Sequence, residues 1–369
     1  MVGKVEVAVV GAGIVGLATA HALRRRGVRV AIYERAVPGN GQSGGDSRIF
    51  RHSHEDSRLV SLARVSRAIW REWEQEGGRQ LVTDDGVVSL GPDARRRAEL
   101  MRAGGVSVRV IATTELAERL PVLADWPDDA LLDEDGGVIR TRAAIEMLAA
   151  GVADSLVLDE VLAVRPTAAG TVVVHAGGIA REHERVVVCA GRETASLARG
   201  AGLAVPVRQS AHVRLAFAVR GDPPTRLACL LDGSGTFGEP SAYADPLPGN
   251  RVYAVGVDET PVHPDGGLVD PDGLAAIAQR TTAYVARALP GLVPEPVQAR
   301  HCWITELPWG PDAFAAWRIG GASFLVGHNL FKHAPALGRA LAAQALGEEP
   351  GMPLRPEDRL GAPARGGDD

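Results

Sequence analysis

An α/β fold is predicted, in which a discontinuous Rossmann-like domain opens and closes the chain around a second domain built on an antiparallel β-sheet. Three observations carry this prediction. A strand, a glycine turn, a helix and a second strand follow one another over residues 5–34. A late apolar strand and helix over 323–346 can return to the same sheet, and the stretch between 206 and about 256 alternates apolar and polar residues.

The opening reads as strand 5–10, turn 11–13, helix from Ile14 to about Arg26, Gly27 as helix stop, and strand 28–33. The turn is Gly11-Ala12-Gly13-Ile14-Val15-Gly16, a GxGxxG set between an apolar strand and an amphipathic helix. Gly11 permits the tight turn, and Gly13 lets the backbone amides of Ile14 and Val15 approach a pyrophosphate at the helix N-terminus. Gly16 lets helix and strand pack closely. Glu34, eighteen residues after Gly16, is placed to accept hydrogen bonds from ribose hydroxyls, which favours a ribose without phosphate. Arg35, Ser43, Ala190, Gly191 and Gly327 complete the expected cofactor-binding set. The fingerprint alone does not separate FAD from NAD. Its position at the start of the chain, with a return to the sheet near the end, favours FAD.

Residues 38–47 form a glycine-rich loop, followed by a helix over 58–76 with apolar spacing Leu59, Leu62, Val65, Ile69 and Trp73. Strands are expected over 81–90 and 105–111, a helix around 140–153, and short strands over 157–189 that end in the apolar Val186–Val188 before Cys189-Ala190-Gly191. That last strand has the character of a buried parallel one. Beyond the β-rich region, with its turn at Pro248-Gly249-Asn250, come a helix over 274–289, a strand over 297–304, the strand 323–326 and a helix over 334–346. The charged tail after Glu348 reads as loose. The Rossmann-like, FAD-binding domain is thus assigned 1–82, 138–205 and 300–369, and the substrate domain 83–137 and 206–299.

Composition narrows the function. At 369 residues the chain suits two packed domains, and no apolar run approaches the length of a membrane span. The first residues lack the charged region and apolar stretch of a signal peptide, so the cytoplasm is expected. A net charge of -5 without a basic stripe argues against nucleic acid. The three cysteines give neither a disulfide framework nor a metal spacing, and no metal is expected. A small substrate and a monomer are expected, with a dimer as the alternative. Of the 40 basic residues only Lys4 and Lys332 are lysine, a bias under which a retained lysine points to a needed compact, titratable amine.

The loop Gly44-Gly45-Asp46-Ser47-Arg48-Ile49-Phe50-Arg51-His52 resembles the HGD[ST]RI[IV]R of the monomeric sarcosine oxidase group in the D-amino-acid-oxidase-like superfamily. The fingerprint, Val188-Cys189-Ala190-Gly191, Cys302-Trp303-Ile304-Thr305 and Phe331-Lys332 extend the resemblance over nearly the whole chain. It implies an FAD enzyme that oxidises a secondary or cyclic amino acid or imino acid to an imine by hydride transfer to flavin N5, with the flavin held covalently by a cysteine. Cys302 matches that cysteine. Cys189 and Cys229 read as small buried hydrophobes, and His301 as structural. Arg48 resembles the arginine beside the flavin ring, and Arg51 the one that forks the substrate carboxylate. Lys332 matches the lysine that completes that carboxylate site, and Tyr243 a pocket tyrosine. Arg48 and Arg51 are expected to share one side of a turn or helix start.

Departures from the pattern bear on mechanism. The lysine that assists oxygen activation in the group falls at Ala254, the loop histidine at Gly44, and a pocket histidine at Asp258, which could hold an ammonium or act as a base. The resemblance therefore implies oxidation of a carboxylate-bearing amine and leaves the electron acceptor open between oxygen and another. The alternatives are a dehydrogenase that avoids oxygen and a catalytically silent flavin-binding protein. The unusual pocket residues and the composition suggest specialised-metabolite biosynthesis.

Overall fold

The structure, a computed structural model, describes residues 6–263, 267–270 and 272–362. Val5 of the expected first strand, and Lys4, lie outside the described residues. The first sheet has six strands in the order Phe314–Ile319, Ala322–Gly327, Arg185–Val188, Glu6–Val10, Arg29–Glu34 and Leu156–Leu158. All pair in parallel except the edge strand Phe314–Ile319. The late strand therefore does return to the sheet that the fingerprint opens. Its central members are covered on both faces, with Val7, Ala8, Val9, Val186 and Val188 fully buried, which is why they read as unbroken apolar runs.

Helices Ile14–Arg25 and Ala334–Ala345 pack on one face of this sheet, and their backbones come close. A Cβ at Gly338 would lie 2.6 Å from the carbonyl carbon of Ala18, so only glycine allows that crossing. Helix Ser57–Gly77 starts where the Asp56 carboxylate accepts from the Arg58 amide at 2.9 Å, and it stops at Gly78 with φ 61°. Its buried stripe runs through Leu59, Leu62, Ser66, Ile69, Trp70 and Trp73. Val65, expected on that stripe, is exposed, because the 3.6-residue period carries the buried line to Ser66 instead.

The second domain is built on a nine-stranded sheet in the order Thr260–Pro261, Arg208–Val219, Val252–Gly256, Ala242–Pro246, Cys229–Asp232, Val87–Leu90, Ala130–Asp133 and Val108–Ile111, with Leu292–Glu306 paired to Arg208–Val219. It is antiparallel except where Cys229–Asp232 runs parallel to Val87–Leu90. Helix Gly273–Ala288 covers one face, burying Tyr284 and Val285 against Leu215, Phe217, Tyr253 and Val255. The expected boundary at residue 300 falls inside the strand Leu292–Glu306, so the sheet of the second domain carries Cys302 to the edge of the first.

Four local expectations are corrected. The glycine-rich loop ends in a strand, Ser47–Phe50, which pairs with Gly137–Arg140, so Arg48 lies in a strand and not on a turn or helix start. Only Val87–Leu90 of 81–90 is a strand. Helices Pro92–Ala103 and Thr113–Arg119 were not expected; the first buries only Ala94, Ala98 and Met101, a stripe too weak to show. The described part of the segment after Glu348, residues 349–362, is docked, with Leu354 and Leu360 buried and the Gly361 amide donating to Asp56 at 2.8 Å; residues 363–369 of the expected loose tail lie outside the described residues.

Candidate active site

One elongated cavity of about 1320 Å³ runs between the two sheets. Pockets for drug-sized ligands measure roughly 300–1,000 Å³, so this larger volume suits a dinucleotide with a small molecule beside it. Gly11, Gly13, Ile14, Val15, Glu34, Arg35 and Ser43 line one end. At Gly11 φ is 96°, and a Cβ there would lie 2.6 Å from the Cys189 carbonyl oxygen, which leaves room for glycine only. The Ile14 amide donates to Ser43 Oγ at 3.0 Å, so an acceptor already marks the helix N-terminus as a site for one. Glu34 accepts from the Ala12 amide at 2.9 Å and from the Ala36 amide at 3.1 Å, which fixes its carboxylate at the end of the second strand. Gly16 does not line the cavity. It packs against the Gly11 carbonyl, the expected role of the third glycine. Arg35 pairs with Glu160 at the surface.

In the middle, Arg48 turns back on its own loop, donating to the carbonyls of Ser47 at 2.8 Å, Gln42 at 3.2 Å and Gly44 at 2.6 Å. Burial and the nearby Arg214 lower its pKa. Cys302 is half-buried in the cavity wall, opposite His212 in the sheet, and it acts electrostatically on Arg48, Arg214 and Tyr243. His301, on the other face of the strand, packs against Trp303 at 4.8 Å between ring centres. By contrast, burial pushes the Cys189 thiol up to about 12 and Cys229 well above its ordinary value, so both are inert. Tyr243 Oη lies 3.4 Å from both ring nitrogens of His212, and burial raises the phenol above its usual value while lowering His212 to about 3. A side chain at Gly44 would have to displace the end of the Arg300 guanidinium, which fills that space.

At the far end stand Arg51, His328 and Lys332. Lys332 is 4% exposed and donates from Nζ to the Asn329 carbonyl at 3.2 Å, a contact made possible by the left-handed φ of 54° at Asn329. Its backbone is held in turn by the Trp70 indole, which donates to the Lys332 carbonyl at 3.0 Å. Burial lowers the amine to about 7; Asp312 opposes the fall and Arg51 adds to it. Arg51 is itself engaged, by Asp312 Oδ2 at 2.8 Å and by the Ser53 carbonyl.

All the expected site residues except Gly16 therefore meet in one cavity, Ala190, Gly191 and Gly327 included. Asp258 reaches it only at the rim. It is exposed and paired with Arg280 at 2.8 Å, so a cation already compensates the carboxylate proposed to hold an ammonium or act as a base. Sequence reasoning missed Asp312, His54, His212 and the buried ion pair of Arg214 with Asp245, whose Arg214 also reaches the Ser47 carbonyl at 3.3 Å. The pairing of strand 208–219 with strand 242–246 through strand 252–256 could have brought Arg214 and Asp245 to mind; nothing local marks Asp312.

The glycine cradle, the strand-end carboxylate and the long cavity fit FAD. Residues 6–344 match the family described as DAO, FAD dependent oxidoreductase. The chain belongs to this family. As a DAO family member it is an FAD-dependent oxidoreductase. It is 26% identical over 381 residues to human peroxisomal sarcosine oxidase, covering 94% of each chain. It is 32% identical over 149 residues to the monomeric sarcosine oxidase of Bacillus sp. (strain B-0618), 38% of each. In fold it is similar to a variant of NikD, described as an unusual amino acid oxidase essential for nikkomycin biosynthesis, with a TM-score of 0.81 and 23% identity over 98% of each chain. Among the described residues of this DAO family protein, no helix is long and apolar enough to cross a membrane and no cluster of side chains could hold a metal.

Proposed function

We propose that this enzyme oxidises a carboxylate-bearing secondary or cyclic amine, an amino or imino acid, to the corresponding imine. The observation that carries the reading is that the cavity beginning at the Gly11 cradle ends at Lys332, a buried amine with no carboxylate in ion-pair range among the described residues. A buried cation without an anion is costly, and a ligand carboxylate would remove that cost.

In this reading Gly11, Gly13, Ile14 and Val15 cradle the pyrophosphate, Glu34 receives the ribose, and Arg35, Ser43, Ala190, Gly191 and Gly327 line the cofactor. Arg48 would lie beside the flavin ring, and Cys302 would hold the flavin through a thioether. FAD, when bound, supplies the acceptor for a hydride leaving the substrate α-carbon. The chain's own residues do the positioning. Lys332 and Arg51 fix the carboxylate, and Tyr243 and His212 line the same cavity around the rest of the substrate. Asp258, which lines the cavity and pairs with Arg280 at 2.8 Å, would hold an ammonium or act as a base. The imine would hydrolyse or cyclise. A place in specialised-metabolite biosynthesis belongs to the proposal, supported by the departures at Gly44, Ala254 and Asp258.

A second reading, dehydrogenation without oxygen, is favoured by Ala254, which is buried between Ala216 and Asp245 and brings no amine to the site. The first reading is tested by incubating the FAD-loaded enzyme with sarcosine, proline, pipecolate and their decarboxylated counterparts, and analysing the products. Imine or its hydrolysis product from a carboxylate-bearing amine is expected. Oxidation of the decarboxylated amines alone would overturn the proposal.

A further inference from the structure

Behind the carboxylate end of the cavity lies a cluster that the proposed chemistry does not use. Arg51, His328 and Lys332 line the cavity; Asp312, His54 and His333 do not. Asp312 accepts from Arg51 Nη2 at 2.8 Å and from His54 Nδ1 at 2.8 Å, and the Asn329 side-chain amide donates to its other oxygen. It thus ties together three separate segments: the exit from strand Ser47–Phe50, the approach to strand Phe314–Ile319, and the turn that carries Lys332. Arg51 and Asp312 are 18% and 17% exposed in their side chains, so the pair sits where charge interactions are strong.

We infer that Asp312 is a positioning residue for carboxylate recognition: it holds Arg51 through Nη2 at the end of the cavity and lets two cations, Arg51 and Lys332, stand side by side. This inference rests on the proposed reading that Arg51 and Lys332 receive a substrate carboxylate.

The electrostatics agree with the geometry. Two buried cations repel, and of the two only the lysine can shed its proton. Burial and Arg51 drive Lys332 down and Asp312 drives it up, with the balance at about 7. The other groups facing the amine carry no charge near neutrality. Burial lowers His54 to about 3, His328 to about 4 and His333 well below its ordinary value. Helix Ser57–Gly77 meets this turn with the uncharged Trp70 and Ser66, and Arg48 is the further cation that acts on His328. With Asp312 neutral, nothing in this set opposes deprotonation of Lys332.

The test uses Asp312→Asn, which keeps an acceptor for Arg51 and removes the charge. The probe is benzoate, followed by its perturbation of the visible flavin spectrum in the FAD-loaded protein across the neutral pH range. The wild type should lose benzoate as pH rises through about 7. In Asp312→Asn the loss should move down by about one pH unit or more, weakening binding roughly tenfold at neutral pH. KM for an oxidised amino acid should rise in parallel with little change in kcat, and Lys332→Met should remove the pH dependence in both backgrounds. An unshifted midpoint, an equal loss of affinity at every pH, or no binding of benzoate to the wild type would overturn the inference. Should Asp312→Asn fail to take up FAD, Asp312→Glu keeps the charge and should keep the wild-type midpoint; a displaced midpoint there would also overturn it. Benzoate needs no turnover, so the outcomes separate. Shifted benzoate profiles without any amine oxidation defeat the proposed reaction alone, and amine oxidation with unshifted profiles defeats the role of Asp312 alone.

Discussion

Gly16 packs so closely on the carbonyl of Gly11 that a single methyl group in its place would overlap that oxygen. Both belong to backbone with little freedom, the one in helix Ile14–Arg25 and the other at φ 96°. Gly16→Val should therefore push the helix away from the turn at a cost of about 1–3 kcal/mol and misplace the amides of Ile14 and Val15. The purified variant should carry at least tenfold less FAD per chain, read from its visible absorbance. Full flavin content would contradict the packing account.

Cys302 is half-buried in the cavity wall, among the residues that line it with Arg48 and Arg214. Intact mass after denaturation should exceed that of the chain by one FAD, and Cys302→Ala should lose this increment while still binding flavin reversibly. Retention of the adduct in that variant would defeat the assignment to Cys302.

Among the described residues the cavity receives no ammonium from position 254, since Ala254 is buried in the sheet. Without a cation there to stabilise developing negative charge on oxygen, reoxidation in air should be slow. Stopped-flow mixing of the reduced enzyme with oxygen should show a rate below that of turnover with an artificial electron acceptor. Reoxidation by oxygen faster than that turnover would remove the dehydrogenase reading.

His54 is buried and its pKa is lowered to about 3, chiefly by desolvation and then by Arg51. The unfolded chain binds a proton at His54 below about 6.5 and the folded protein does not, so stability falls as pH drops from 6.5 toward 3. The contribution is at most about 1.4 kcal/mol per pH unit. Urea unfolding of the FAD-loaded protein should show this fall, and His54→Asn should flatten it. An equal slope in the variant would place the acid sensitivity elsewhere.

What the sequence made legible follows its local patterns. The GxGxxG turn, the run Val186–Val188 and helix Ser57–Gly77 each announce themselves within a few residues, because their backbone or burial demands are local. Arg48, Arg51 and Lys332 were legible through motif resemblance, and the fold does bring them to one cavity. Asp312 was not, for its partners His54 and Arg51 lie 258 and 261 residues away and no period or spacing encodes such a meeting. The Arg214 and Asp245 pair has the same character, being set by strand pairing. Over residues 349–362 the expected loose tail is docked instead, because composition describes average solvation, whereas Leu354 and Leu360 find specific holes.

The central claim, that this flavin cavity takes the carboxylate of its amine at Lys332, is tested most directly by anaerobic mixing of the FAD-loaded enzyme with pipecolate or proline and, separately, with piperidine or pyrrolidine. Bleaching of the visible flavin band by a carboxylate-bearing amine, but not by its decarboxylated partner, and its loss at the same concentration in Lys332→Met, is the predicted result. Equal bleaching by both members of a pair, or undiminished bleaching in Lys332→Met, would contradict it.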